Sequence, residues 1–115
     1  MADYFDIAGI AGNYRYFILS NPTSASIKPV AGNYMFIKPE QYGWVPVYIG
    51  VASNLSDRIP NHEMATTAAR AGATHVAAHI NANEQARLAE ERDLIHWWQP
   101  VCNTQHRTQR RGLLG

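Results

Sequence analysis

The chain has a single cysteine in 115 residues, Cys102, so an internal disulfide framework is excluded and a reducing, cytoplasmic setting is expected. Cys102 itself reads as a small buried apolar side chain. Charge is also scarce, at 17% of residues against 46% hydrophobic, with a formal net charge of +1. That balance excludes a disordered chain and gives no global sign of a nucleic-acid partner. Apolar runs are short, and none approaches the roughly 20 residues that a membrane span needs. Asp3 and Asp6 stand where a secretory leader would be basic and then apolar, so neither export nor a membrane partner is expected.

What the chain does hold is a succession of short patterned segments. Tyr14–Leu19 is aromatic and β-branched and predicts a strand, followed by a turn-rich link at Ser20–Ser24. Ala11-Gly12-Asn13-Tyr14 is echoed by Ala31-Gly32-Asn33-Tyr34, which marks two strands with similar opening turns rather than a repeat architecture. Gly32–Lys38 and Trp44–Gly50 predict a hairpin pair, the second strand beginning near Pro46, because proline cannot donate in a central ladder. Ser53 or Asn54 caps a short helix through Arg58, which Pro60 interrupts. A second helix is expected over His62–Ala71, closed by Gly72, and a further strand over Thr74–Ile80. Asn81-x-x-Glu84 resembles a capping box, starting a helix that runs to Trp97 or Trp98 ahead of Pro100. The expected fold is α+β: a small three-stranded mixed or antiparallel sheet flanked by helices, with a strand-like N-terminal extension. The expected organisation is an extension over 1–30, a domain over 31–104 and a basic tail over 105–115.

Several side chains stand out against this framework. Tyr34 and Tyr48 occupy the paired strands inside Gly32-Asn33-Tyr34 and Tyr48-Ile49-Gly50; either alone is an ordinary sheet tyrosine. Arg58 and His62 are four apart, a spacing that faces both toward one ligand on an intact helix, although Pro60 weakens that argument. A guanidinium suits a phosphate because its planar fork donates two parallel hydrogen bonds, and an imidazole can move a proton near neutral pH. On the last helix, Leu88, Glu91, Ile95 and Trp98 follow a core-facing spacing, with Glu84, Glu90 and Asp93 on a solvated face. A carboxylate within such a stripe is costly unless paired, with Arg87 or Arg58, or bound to a metal; spacing leaves both open. Asn103 reads as a turn residue, and the Trp97-Trp98 pair as packing. His75 and His79 read as sheet residues, with His79 a weaker site member. Arg107, Arg110 and Arg111 form a basic tail able to contact phosphates.

Taken together these residues resemble the GIY-YIG nuclease superfamily. Gly32-Asn33-Tyr34 stands at the GIY position and Tyr48-Ile49-Gly50 is YIG as written. Asn54-Leu55-Ser56-Asp57-Arg58 matches N-L-x-x-R, His62 a frequent histidine, Glu91 the acid of E-x-x-L-I, and Asn103 the asparagine of P-x-x-N. The likeness runs from Ala31 to Asn103, and departs from the pattern at Asn33, where isoleucine is usual, and at Pro60. Gly12-Asn13-Tyr14 is a decoy, too distant from Tyr48. The resemblance implies metal-dependent hydrolysis of DNA phosphodiesters. Glu91 would hold Mg²⁺ (or Mn²⁺), Arg58 would stabilise phosphoryl charge, Tyr34 or Tyr48 would activate water, and His62 would assist. It implies DNA as partner; with only a short extension and a basic tail beside the domain, a homodimer or second protein is expected to supply specificity. The alternatives are a non-catalytic nucleic-acid-binding module that keeps the fold, and a plain structural domain.

Overall fold

The structure, a computed structural model, describes residues 3–20, 22–23 and 25–103. Five strands and three helices follow in order: β1 (Tyr4–Ala8), β2 (Asn13–Ile18), β3 (Gly32–Glu40), β4 (Gly43–Ala52), α1 (Leu55–Arg58), α2 (Ala65–Arg70), β5 (His75–Ile80) and α3 (Glu84–Trp98). The strands form one antiparallel sheet in the order β1-β2-β5-β3-β4. The fold is α+β as expected, but the sheet has five strands rather than three. β1 was not legible because only Ile7 is buried in it, and Asp6 answers Arg15 across the β1–β2 ladder at 2.8 Å.

Alternation along β3 splits the core into two layers. Tyr34 and Phe36 face α1 and α2, among Val47, Leu55, Ile59, Ala68 and Val76. Met35 and Ile37 face α3, among Ile7, Tyr16, Ile49, Ala77, Leu94 and Ile95. Each large apolar side chain fully buried here contributes about 1.5–3 kcal/mol. The β3–β4 ladder slips once: Phe36 pairs with Tyr48 and Ile37 with Pro46, leaving Val47 as a bulge. The bulge lets β4 run from Gly43 through Pro46 instead of beginning there, and it turns Tyr48 onto the same layer as Val47.

Helix boundaries and phase also differ from expectation. α1 ends at Arg58 and α2 begins only at Ala65, so His62 lies in the turn between them. α3 is capped by Asn83, whose Oδ1 accepts from Ala86 N at 2.9 Å, and not by Asn81. Its buried residues are Arg87, Glu90, Leu94 and Ile95, a stripe rotated from the one the apolar spacing predicted, with Leu88 exposed and Glu91 half-buried. Glu90, expected in solvent, is buried and joins Tyr16 Oη at 2.6 Å and His79 Nδ1 at 2.9 Å. Asp93, also expected in solvent, accepts from the backbone of Ile10 at 2.7 Å and Ala11 at 3.0 Å and from Tyr14 Oη at 2.7 Å. These bonds hold its carboxyl below the usual range, although burial pulls the other way. The decoy tyrosine, Tyr14, is thus fastened to α3. Among the described residues no helix is long and apolar enough to cross a membrane.

Candidate active site

The two short motifs meet where β3 and β4 pair, with Tyr34 opposite Gly50. Their glycines answer close approaches. A Cβ on Gly50 would come 2.6 Å from the Tyr34 hydroxyl, and one on Gly32 would come 2.5 Å from the His79 carbonyl oxygen. Asn33, at the isoleucine position, is buried facing α3 and donates Nδ2–H to the Arg87 carbonyl at 2.9 Å, while its Oδ1 has no partner.

Tyr34, 1% exposed, is the hub of the site. Its hydroxyl lies 2.5 Å from His62 Nε2. The His62 ring sits among three aromatic rings, with centroids 4.9 Å from Tyr48, 5.2 Å from Phe36 and 5.3 Å from Tyr34, all near edge-on. The break at Pro60 does not separate His62 from Arg58; the turn it creates folds the imidazole inward. His62 Nδ1 accepts from Met64 N at 3.0 Å. In the neutral ring this places the proton on Nε2, which donates to Tyr34 Oη. Burial, then the Arg58 charge, lower the His62 pKa, so the ring is neutral at pH 7.

With its oxygen accepting from His62, Tyr34 directs its own proton elsewhere. Hydrogen bonding from Tyr34 favours the phenolate of Tyr48, although burial raises the Tyr48 pKa on balance and the Glu91 charge adds to that rise. Tyr34 is pushed up further, by burial and then by Tyr48, against the opposing pull of Arg58. Tyr48 is half-buried and reaches solvent, whereas Tyr34 does not.

Arg58, at the end of α1, is positioned by the Asn54 cap, whose Oδ1 accepts from Ser56 N at 3.0 Å. Its Nη1 donates to Glu63 Oε2 at 2.9 Å and Nη2 to Oε1 at 3.2 Å. The carboxylate raises the Arg58 pKa above its ordinary value. A groove of about 360 Å³, lined by Ser53, Asn54, Asp57 and Arg58 among others, opens beside it. Asn103, 2% exposed, clamps β4: Oδ1 accepts from Ile49 N at 2.9 Å and Nδ2 donates to Ile49 O at 2.8 Å. Cys102 N donates to Val47 O at 3.0 Å, so this segment borders β4 on both sides of Tyr48.

The structure therefore gathers Tyr34, Tyr48, Arg58 and His62 around one hydroxyl, places Asn103 behind them, and brings the Glu91 charge within reach of Tyr48. Arg107, Arg110 and Arg111 lie outside the described residues. Glu63 was missed by sequence reasoning; its signal was an acid immediately after His62 and five residues beyond Arg58. Among the described residues no three or more His, Cys, Asp or Glu side chains form a metal-holding group. The charges of two carboxylates, Glu91 and Glu63, reach Tyr48, and Glu63 is held by Arg58. Glu91 is the oxygen donor that would suit a hard divalent ion, which takes carboxylate, water and phosphate oxygens.

No family model and no curated protein matches the chain. Two solved structures do. They are the GIY-YIG N-terminal endonuclease domain of UvrC from Thermotoga maritima bound to its catalytic magnesium, and a point mutant of that domain bound to its catalytic divalent cation. Each is 26% identical with a TM-score of 0.54, covering 68% of this chain and 87% or 88% of the solved chain. The chain has the fold of the GIY-YIG superfamily.

Proposed function

We propose that this protein is a divalent-metal-dependent endonuclease that hydrolyses DNA phosphodiester bonds. The observation that carries the reading is the convergence of His62, Arg58 and Tyr48 on the Tyr34 hydroxyl, in a fold shared with a magnesium-bound endonuclease domain. Glu91 would hold one Mg²⁺ or Mn²⁺, which when bound supplies Lewis-acid stabilisation of phosphoryl charge.

The remaining work falls to the chain's own residues. Tyr48 Oη takes the proton of the attacking water. An ordinary phenol is only about one part in a thousand ionised at pH 7, a handicap of about 4 kcal/mol, and burial raises it. The chain of donors Met64 N–H, His62 Nε2–H and Tyr34 O–H runs in one direction, and its last member stabilises the Tyr48 phenolate. Tyr34 is thus a donor to the base and His62 fixes its orientation. Arg58 stabilises negative charge on the non-bridging oxygens as the water adds. Asn103 is a positioning residue that holds Ile49 and, through it, Tyr48.

Plasmid nicking with Mg²⁺ against EDTA tests the reading, with Glu91→Ala and Arg58→Ala as variants. Nicking should require the ion and fall at least a hundredfold in both. Cleavage that survives EDTA or both substitutions rules out the mechanism. A second reading, a nucleic-acid-binding module without turnover, is favoured by the Glu63 carboxylate on Arg58. It predicts salt-sensitive DNA binding with no product in any divalent ion.

A further inference from the structure

Arg58 is the side chain the proposed reaction needs to face a phosphate, yet its fork already holds an anion. Nη1 and Nη2 each donate to one oxygen of Glu63, at 2.9 and 3.2 Å. A carboxylate and a phosphodiester both offer two oxygens to two parallel N–H donors, so one arginine edge serves either. The pair is open to solvent, with 37% of the Arg58 side chain and 68% of the Glu63 side chain exposed, so a competing anion can reach it. Glu63 also follows directly on His62, whose ring is caged and whose Nδ1 is bonded to Met64 N, so the carboxylate stems from a fixed turn. The guanidinium holds the Glu63 carboxyl down to about 2. Mild acid therefore leaves the carboxylate charged, and the exposed fork stays open to exchange with another anion.

We propose that Glu63 is an internal substitute for the substrate's phosphate, holding the Arg58 fork and exchanged for a phosphodiester on binding. The exchange makes Glu63 a specificity-determining residue. A spherical anion such as chloride replaces one hydrogen bond at a time, whereas the two non-bridging oxygens of a phosphodiester replace both. Every phosphate must also win against the carboxylate, which lowers affinity for DNA in general and leaves the chemical step untouched. The inference rests on the nuclease reading only in naming DNA as the source of the phosphate.

The test is fluorescence anisotropy of a short labelled DNA duplex with the full chain in EDTA, at fixed ionic strength. Glu63→Gln should tighten binding by roughly two- to fivefold, the size of an exposed ion pair. Asp57→Asn, which removes another exposed acid beside Arg58, should tighten it less. In an Arg58→Ala background the Glu63→Gln gain should vanish, which isolates the pair from net charge. Unchanged or weaker binding by Glu63→Gln, an equal gain from Asp57→Asn, a gain that survives Arg58→Ala, or no binding by any variant overturns the proposal. Cleavage with Mg²⁺ is read separately. An absence of cleavage with the exchange pattern intact removes the nuclease reading alone, and cleavage without the pattern removes the exchange alone.

Discussion

Nε2 of His62 lies 2.5 Å from the Tyr34 hydroxyl, and the direction of that bond is set from outside the pair. The backbone N–H of Met64 occupies Nδ1, so the imidazole is a donor to Tyr34 and cannot be its base. A histidine that sequence spacing offers as a mover of protons thereby becomes a link in a donor chain that starts at Met64 N–H and points through Tyr34 toward Tyr48.

The two tyrosines should separate by pH. Tyr48→Phe should lower kcat by a factor of roughly 10²–10⁴ with little change in Tm, because Tyr48 is half-buried. Tyr34→Phe should leave a measurable rate that needs higher pH, since the Tyr48 phenolate loses its donor. In the unsubstituted protein the Tyr48 pKa is raised, so the rate should climb steadily with pH across the neutral range. A pH–rate series at saturating Mg²⁺ decides this, and a flat profile would remove Tyr48 as the base.

Nitrogen NMR of His62 should show the Nε2–H tautomer and a midpoint below the ordinary 6.5. With the folded pKa lowered, the unfolded chain binds the extra proton more readily. The His62 contribution to stability should therefore be complete above about pH 6.5 and fade as pH falls toward the folded midpoint. A His62 midpoint above 6.5 contradicts the assignment.

Gly50→Ala should damage activity and folding together. The added methyl would meet the Tyr34 hydroxyl at 2.6 Å and its Cζ at 2.7 Å, and the tyrosine is buried and cannot swing away. Overpacking of this kind costs about 1–3 kcal/mol, readable by urea denaturation, and nicking should be lost at temperatures where the variant remains folded. Wild-type stability and rate in Gly50→Ala would show that Tyr34 is not held there.

Glu90→Ala should destabilise by about 3 kcal/mol, since it strips the partners from buried Tyr16 Oη and from His79 in one step. Its effect on cleavage should follow stability alone. A full-length variant that melts normally would return Glu90 to the solvated face.

The clustering of the candidate residues was legible because its signals are short and local. Tyr34, Tyr48, Arg58 and His62 each sit within a few residues of a glycine, a cap or a proline that fixes the backbone around them. The phase of α3 was not legible. Arg87 and Glu90 face the core, although apolar spacing gave it to Leu88, Glu91, Ile95 and Trp98. Arg87 is satisfied by the nearby carbonyls of Asn81 and Ala82, and Glu90 by a phenol on β2 and an imidazole on β5. Hydrophobic periodicity carries no information about such long-range pairing. The Val47 bulge and the reach of Glu63 to Arg58 depend likewise on tertiary closure, as does the joining of β2 to β5.

The Asp93 clasp on the β1–β2 turn has a practical consequence for anyone shortening the protein. A chain cut back to Ala31 would strip β5 of one of its two antiparallel neighbours, take Tyr16 from Glu90, and leave Asp93 without its backbone donors. An uncovered strand edge of that kind recruits other chains. The N-terminal hairpin thus covers the β5 edge, and a chain without it should aggregate more readily than the full chain.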